Sequence, residues 1–195
     1  MIEHDPWVGP LYESEGIRGQ RLGIVGYSCW IDDDHPRYTI ESVENVISGA
    51  WPNVHFFNGI ASYFGMGRAE FYNRVLMFEF VPCSIGGGQD WYARATAEQA
   101  ATGRERTLRI ANEHEIDKLL FFSGKAWKSM PATVEKSEGR KQLLGDTRFE
   151  FGHYQLGERQ VTAVGLRHPQ YASRALMVSA VDQILALPIE RLAFA

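Results

Sequence analysis

Val75-Leu76-Met77-Phe78-Glu79-Phe80-Val81-Pro82 is the stretch on which the fold turns. Apolar residues fill six of its first seven positions, and the closing proline cannot donate to a strand ladder, so the run predicts a buried strand. Glu79 is the exception within it. A carboxylate in a buried strand needs a partner or a function, and only an edge strand facing water would make it trivial.

Upstream, Arg21-Leu22-Gly23-Ile24-Val25-Gly26 is a second apolar run, ending in glycine as a strand does where it enters a loop. The polar segment Asp32-Asp33-Asp34-His35-Pro36 follows, then Ile40, Val43, Val46 and Ile47 at helical spacing with Gly49 as the stop. A further helix is expected within Gly59 to Tyr72. Downstream, Ser84 to Asp90 reads as a flexible loop, and Thr96 with Gln99 forms a capping box opening a helix that reaches Glu113.

Lys118 to Gly124 is a third buried strand, Lys125 to Met130 a short helix stopped by Pro131, and 134–147 a polar excursion. Phe149 to Tyr154 and Gln160 to Leu166 read as strands around Gly157-Glu158-Arg159. The last helix starts at Ser173, with Leu176, Val181, Ile184 and Leu185 inward. Strands alternating with helices predict an α/β fold: a three-layer α/β/α sandwich around a mostly parallel, four-stranded central sheet, spanning residues 1–195 as one domain.

The chain of 195 residues has 45% hydrophobic and 23% charged residues, which excludes a disordered or collagen-like protein. Its net charge of −4 divides as −6 over residues 1–97 and +2 over 98–195, so any nucleic-acid contact has to rest on a local basic patch. All five lysines lie between Lys118 and Lys141; the plainer reading of that cluster is a solvated face. Cys29 and Cys83 show neither a CxxC nor a Cys/His ligand spacing, so no disulfide framework and no metal are expected. The first residues lack a signal-peptide pattern and no run is long enough to cross a membrane, which makes the cytoplasm the expected location.

In an open α/β sheet the ligand crevice lies beyond the carboxyl ends of the strands. That rule nominates Gly26 to Asp34, Glu79 to Gly88, Ser123 to Trp127 and Arg167 to Ser173. Gly26-Tyr27-Ser28 opens like a nucleophile elbow, but Trp30 stands where the motif needs glycine. Gly86-Gly87-Gly88 lacks the Lys-Ser/Thr of a phosphate loop, and Asp32-Asp33-Asp34 lacks calcium-loop spacing. Pro169 sets a rigid turn before a helix that Ser173 could cap, and so presents His168 at a strand's carboxyl end.

From Leu22 to about Leu187 the order of these segments resembles the uracil-DNA glycosylase superfamily. Leu22-Gly23-Ile24-Val25-Gly26 with Tyr27-Ser28-Cys29-Trp30 resembles its strand and water-activating loop, and Phe57-Asn58-Gly59-Ile60-Ala61 its Phe-x-Gly-x-Ala segment. Val75 to Cys83 resembles the strand that carries the base-reading Asn. Leu119 to Trp127 resembles its strand ending in Gly, and Arg167-His168-Pro169 its His-Pro-Ser motif.

The resemblance implies hydrolysis of the N-glycosidic bond of a flipped base. His168 would stabilise the departing base and a carboxylate of Asp32, Asp33 or Asp34 would orient water, because Tyr27 and Ser28 stand where the family carries an acid. Phe57 would stack on the base, Glu79 would read its edge, and Tyr27 and Ser28 would border it. Lys125, Lys128, Arg167, Gln170 and Ser173 would contact nucleic acid. No cofactor is expected, since two cysteines cannot hold the four-cysteine cluster of some branches. The expected partner is DNA or a small nucleobase-containing ligand. Two alternatives stand beside it: a binding protein without the chemistry, and a Ser28/His168 hydrolase.

Overall fold

The computed structural model describes residues 2–29, 31–52, 54–86, 93–131, 142–144 and 147–189. Its strands are β1 (Trp7–Val8), β2 (Leu22–Gly26), β3 (Leu76–Glu79), β4 (Lys118–Phe121), β5 (Gln142–Leu144), β6 (Thr147–Leu156) and β7 (Arg159–Gly165). Its helices are α1 (Tyr38–Ser48), α2 (His55–Tyr63), α3 (Arg68–Tyr72), α4 (Ala97–Glu113), α5 (Gly124–Ser129) and α6 (Arg174–Ala186), with a 3-10 turn at Pro169–Tyr171.

The strands form one sheet in the order β1-β3-β2-β4-β7-β6-β5. Its centre, β3-β2-β4-β7, is wholly parallel. All four were expected as strands, but the sheet is wider than the four strands expected. β1 adds antiparallel to β3, and β6 adds antiparallel to β7 with β5 on its outer edge. Part of the added width lies at 147–165: Leu156 pairs with Arg159 and Gly157 takes φ +61°, so the two strands expected around Gly157 close as a tight antiparallel hairpin.

Alternation along the parallel strands sends their side chains into two separate cores. Ile24, Met77, Leu120 and Val164 pack beneath α1, α2, α3 and α6. Val25, Leu76, Phe78, Leu119, Phe121 and Ala163 pack beneath α4 and α5. Helices therefore cover both faces, and the uniformly apolar strands have the composition that double coverage demands.

The expected helix at 59–72 is two helices. Phe64 closes α2 and Gly65, at φ +68°, turns the chain toward α3. The capping box at Thr96 and Gln99 is present with both of its bonds. In α6, Leu176 is 53% exposed and Met177 takes its expected place inside, because the buried set Met177, Ala180, Val181, Ile184 and Leu185 follows the i, i+3, i+4, i+7, i+8 stripe. Ser173 sits at the N-cap of α6 without a side-chain cap bond. Among the described residues no helix is long and apolar enough to cross a membrane.

Candidate functional site

The parallel register decides what meets at the carboxyl ends. Gly26 pairs with Glu79, and both continue the alternation that sends Ile24 and Met77 toward α1 and α2. His168 continues the same alternation from Val164 and Leu166. A side chain at Gly26 would lie 3.6 Å from Phe56 and 3.9 Å from Glu79, and the Phe56 ring is 5.2 Å from the His168 ring. Glu79, Gly26, Phe56 and His168 thus form a continuous row on one face.

Glu79 is 7% exposed. Its Oε2 accepts from the hydroxyl of Thr39, in the first turn of α1, and its backbone carbonyl accepts from Arg106 Nη1 at 2.7 Å. Arg106, buried on α4, also donates from Nη2 to the His4 carbonyl and from Nε to Glu3 Oε1 at 3.0 Å, tying the N-terminal segment to the end of β3. Among the described residues, Glu79 Oε1 accepts no hydrogen bond.

Phe57 is the interior member of the aromatic pair on α2. It is 8% exposed, its ring lies 5.5 Å from that of Tyr72, and its carbonyl accepts from the Tyr72 hydroxyl at 3.1 Å. Phe56, one residue earlier and half-buried, is the ring that faces Gly26 and His168.

His168 is held by its turn. Its Nδ1 accepts from the Gln170 amide at 3.2 Å, which leaves the hydrogen of the neutral ring on Nε2. Burial pushes its pKa below the ordinary histidine value, so that neutral ring prevails at pH 7. The turn itself rests on α2: a Cβ on Gly59 would sit 2.6 Å from Pro169 Cβ, so glycine is what allows the close approach. Beside the turn lies a cleft of about 530 Å³ bordered by His55, Asn58, Ser62, Gln170 and Arg174. A second cleft of about 280 Å³, bordered by Asp33, His35, Tyr38, Glu41 and Trp51, lies against α1. Neither lining includes Glu79 or Phe56.

The three aspartates separate. Asp34 is held inward: Oδ1 accepts from His4 Nε2 at 2.5 Å and Oδ2 from the Ser84 amide at 3.1 Å. Asp32 and Asp33 are exposed. Cys29 is buried near Asp34 and Glu79, and desolvation followed by those two carboxylates pushes its thiol pKa well up. Burial likewise raises the Tyr38 phenol to about 12.

Tyr27 turns to the opposite face, where its hydroxyl accepts from the Ala95 amide at 3.2 Å and Lys125 Nζ stands 5.2 Å from its ring centre. Ser28 donates to the carbonyls of Cys83 at 2.9 Å and Cys29 at 3.2 Å. Lys125, Lys128, Arg167, Gln170 and Ser173 are all exposed. The basic segment does not hold together as one patch. Lys118 is fully buried and donates from Nζ to the carbonyls of Ile184, Leu185 and Leu187, capping α6, while Lys136 and Lys141 lie outside the described residues.

His4, Thr39, Phe56 and Arg106 were not singled out from the sequence. Phe56 alone left a signal, as the neighbour of Phe57 on a helix where one ring faces in and the next faces the rim. No family model matches the chain, and no curated protein matches it.

Proposed function

We propose that this is a domain of the uracil-DNA glycosylase type that reads a nucleobase at the carboxyl ends of its parallel strands. The observation that carries the reading is the row of Glu79, Gly26, Phe56 and His168 on one face. Phe56 supplies an aromatic surface for a base, and Gly26 leaves room beside it. Thr39 already donates to Glu79 Oε2, so the remaining oxygen reads a donor, such as the exocyclic amine of cytosine or adenine, in preference to the O4 acceptor of uracil.

In the catalytic form of this reading, water adds to the sugar carbon as the glycosidic bond breaks, and the departing base keeps the bonding electrons. The Nε2–H of neutral His168 stabilises that developing charge, and a carboxylate of the acidic loop takes the proton of the water. The exposed Lys125, Lys128, Arg167, Gln170 and Ser173 are the candidates for backbone contact.

A second reading, binding without hydrolysis, is favoured by Asp34. Both of its oxygens are already engaged, and Asp32 and Asp33 face solvent. The hydroxyl of Ser28 donates to backbone carbonyls, which speaks against its use as a nucleophile.

Incubation with oligonucleotides carrying uracil, hypoxanthine and other altered bases separates the two readings, because only the catalytic one predicts base release. Where release occurs, His168→Ala should reduce it about 10²-fold or more. Undiminished release in that variant would remove His168 from the mechanism. Absence of base release together with absence of salt-dependent binding to all of these oligonucleotides would contradict both readings.

A further inference from the structure

Three side chains that the base-reading row leaves unused come together behind it. One nitrogen of His4, Cys29 Sγ and a carboxylate oxygen of Asp34 all lie within 4.8 Å of one another. They come from two segments, the N-terminal stretch and the loop after β2, both hydrogen-bonded to residues 82–85. The His4 amide donates to the Pro82 carbonyl at 2.7 Å, the Ile85 amide to the Cys29 carbonyl at 3.2 Å, and the Ser84 amide to Asp34 Oδ2 at 3.1 Å. We propose that His4, Cys29 and Asp34 bind one divalent transition-metal ion of the zinc class.

Two of the three are already in contact. An ionised carboxylate only accepts, so His4 Nε2 donates its hydrogen to Asp34, and Nδ1 lies across the ring from that bond. His4 is fully buried, and its Nδ1 has no partner. A metal ion among the three side chains takes the nitrogen that now bonds Asp34, and the ring hydrogen moves to Nδ1.

The donor set selects the metal. Thiolate, imidazole and carboxylate together suit zinc and its neighbours, whereas magnesium and calcium take oxygen ligands. Zinc bonds of about 2.0–2.3 Å in tetrahedral array space the ligand atoms roughly 3.3–3.8 Å apart. Binding would draw the three atoms, now within 4.8 Å of one another, to that spacing. Three protein ligands leave a fourth position, and the Asp34 side chain, 23% exposed, marks the side open to water. This site uses none of the row Glu79, Gly26, Phe56 and His168, and it withdraws Asp34 from the acidic-loop carboxylates open to water.

Titration of the metal-free full chain with Co²⁺, followed by absorption, tests the proposal. One equivalent should bind with a thiolate-to-cobalt charge-transfer band in the near ultraviolet, and Zn²⁺ should displace it. Cys83→Ser, in which Cys29 is the remaining thiol, should keep the band. Cys29→Ser should lose it and weaken binding by more than about 100-fold, beyond the 10–100-fold typical of an outer-shell partner. Circular dichroism establishes that each variant is folded. Absence of the band in Cys83→Ser overturns the site whatever the state of Cys29→Ser. So does a Cys29→Ser protein that binds as tightly as the parent.

Discussion

Two buried ionisable side chains sit at opposite ends of the parallel sheet, and their surroundings differ in kind. Lys118, at the amino end of β4, gives its ammonium to three carbonyls at the C-terminus of α6. Its bonding capacity is filled by the fold, and it matches the negative end of the helix dipole. Glu79, at the carboxyl end of β3, has one oxygen on Thr39 and another that accepts no bond among the described residues. The bonds of the first charge are supplied by the fold, whereas the second keeps an oxygen that a ligand can still meet. The same distinction separates His4, whose Nδ1 is orphaned, from Arg106, which donates to Glu79, His4 and Glu3.

The sharpest way to break this contrast is to empty the amino end. Lys118→Met leaves three carbonyls without their donor and should destabilise the protein by about 3 kcal/mol in urea denaturation, without altering which base is read. Desolvation holds the Lys118 pKa at about 8, below its ordinary 10.5. Between those values the unfolded chain binds more protons than the folded one, so the contribution of Lys118 to stability rises with pH across that window. The gap between wild type and Lys118→Met should therefore widen from pH 8 to 10.5. A gap that narrows there would show that the charged form is the better accommodated one.

Gly59→Ala should act less on stability and more on the site. The added methyl meets Pro169 Cβ at 2.6 Å, so the turn carrying His168 must shift. A stability loss of about 1–3 kcal/mol is expected from such overpacking. A fall of about 10²-fold in base release or in nucleobase affinity should accompany it, as for other small displacements of reacting groups. Equal ligand behaviour in the folded variant would detach the turn from the site.

Ser173→Ala marks the small end of the scale. Its hydroxyl makes no cap bond, so thermal unfolding should move by no more than about 0.5 kcal/mol. A loss near 1 kcal/mol, the ordinary worth of a cap, would reveal a bond formed in solution.

Much of the architecture was legible in the sequence because it follows from local patterns. The apolar runs at 22–26, 76–79 and 118–121 are parallel strands buried on both faces, and the Thr96–Gln99 box opens α4 as its spacing demands. Sheet width was not legible. The connection between Leu156 and Arg159 is too short for a crossover and dictates a hairpin, but no local pattern shows that β1 and β5 join the edges. Leu176 was misplaced for a related reason: Leu176 and Met177 are both apolar, and only packing against the sheet selects between adjacent positions.

The candidate site divides along the same line. Glu79 and His168 stand out because a charge breaks an apolar strand and a His-Pro turn ends one. The partners Thr39, Arg106 and Phe56 belong to helix faces whose neighbours are set by tertiary contact. The cluster of His4, Cys29 and Asp34 carries no recognised ligand spacing, since His4 meets the other two only where the N-terminal stretch packs against the loop after β2. Lys118 illustrates the converse: a lysine counted with a basic segment proved to be the C-terminal cap of a helix more than sixty residues away.

The central claim is that the open valence of Glu79 reads a nucleobase. Base preference in wild type and Glu79→Asn, measured as the ratio of release or binding between uracil and an amine-bearing base in the same oligonucleotide, tests it most directly. An amide both donates and accepts, so the substitution should move the ratio toward uracil. A folded Glu79→Asn protein with an unchanged ratio would contradict the claim.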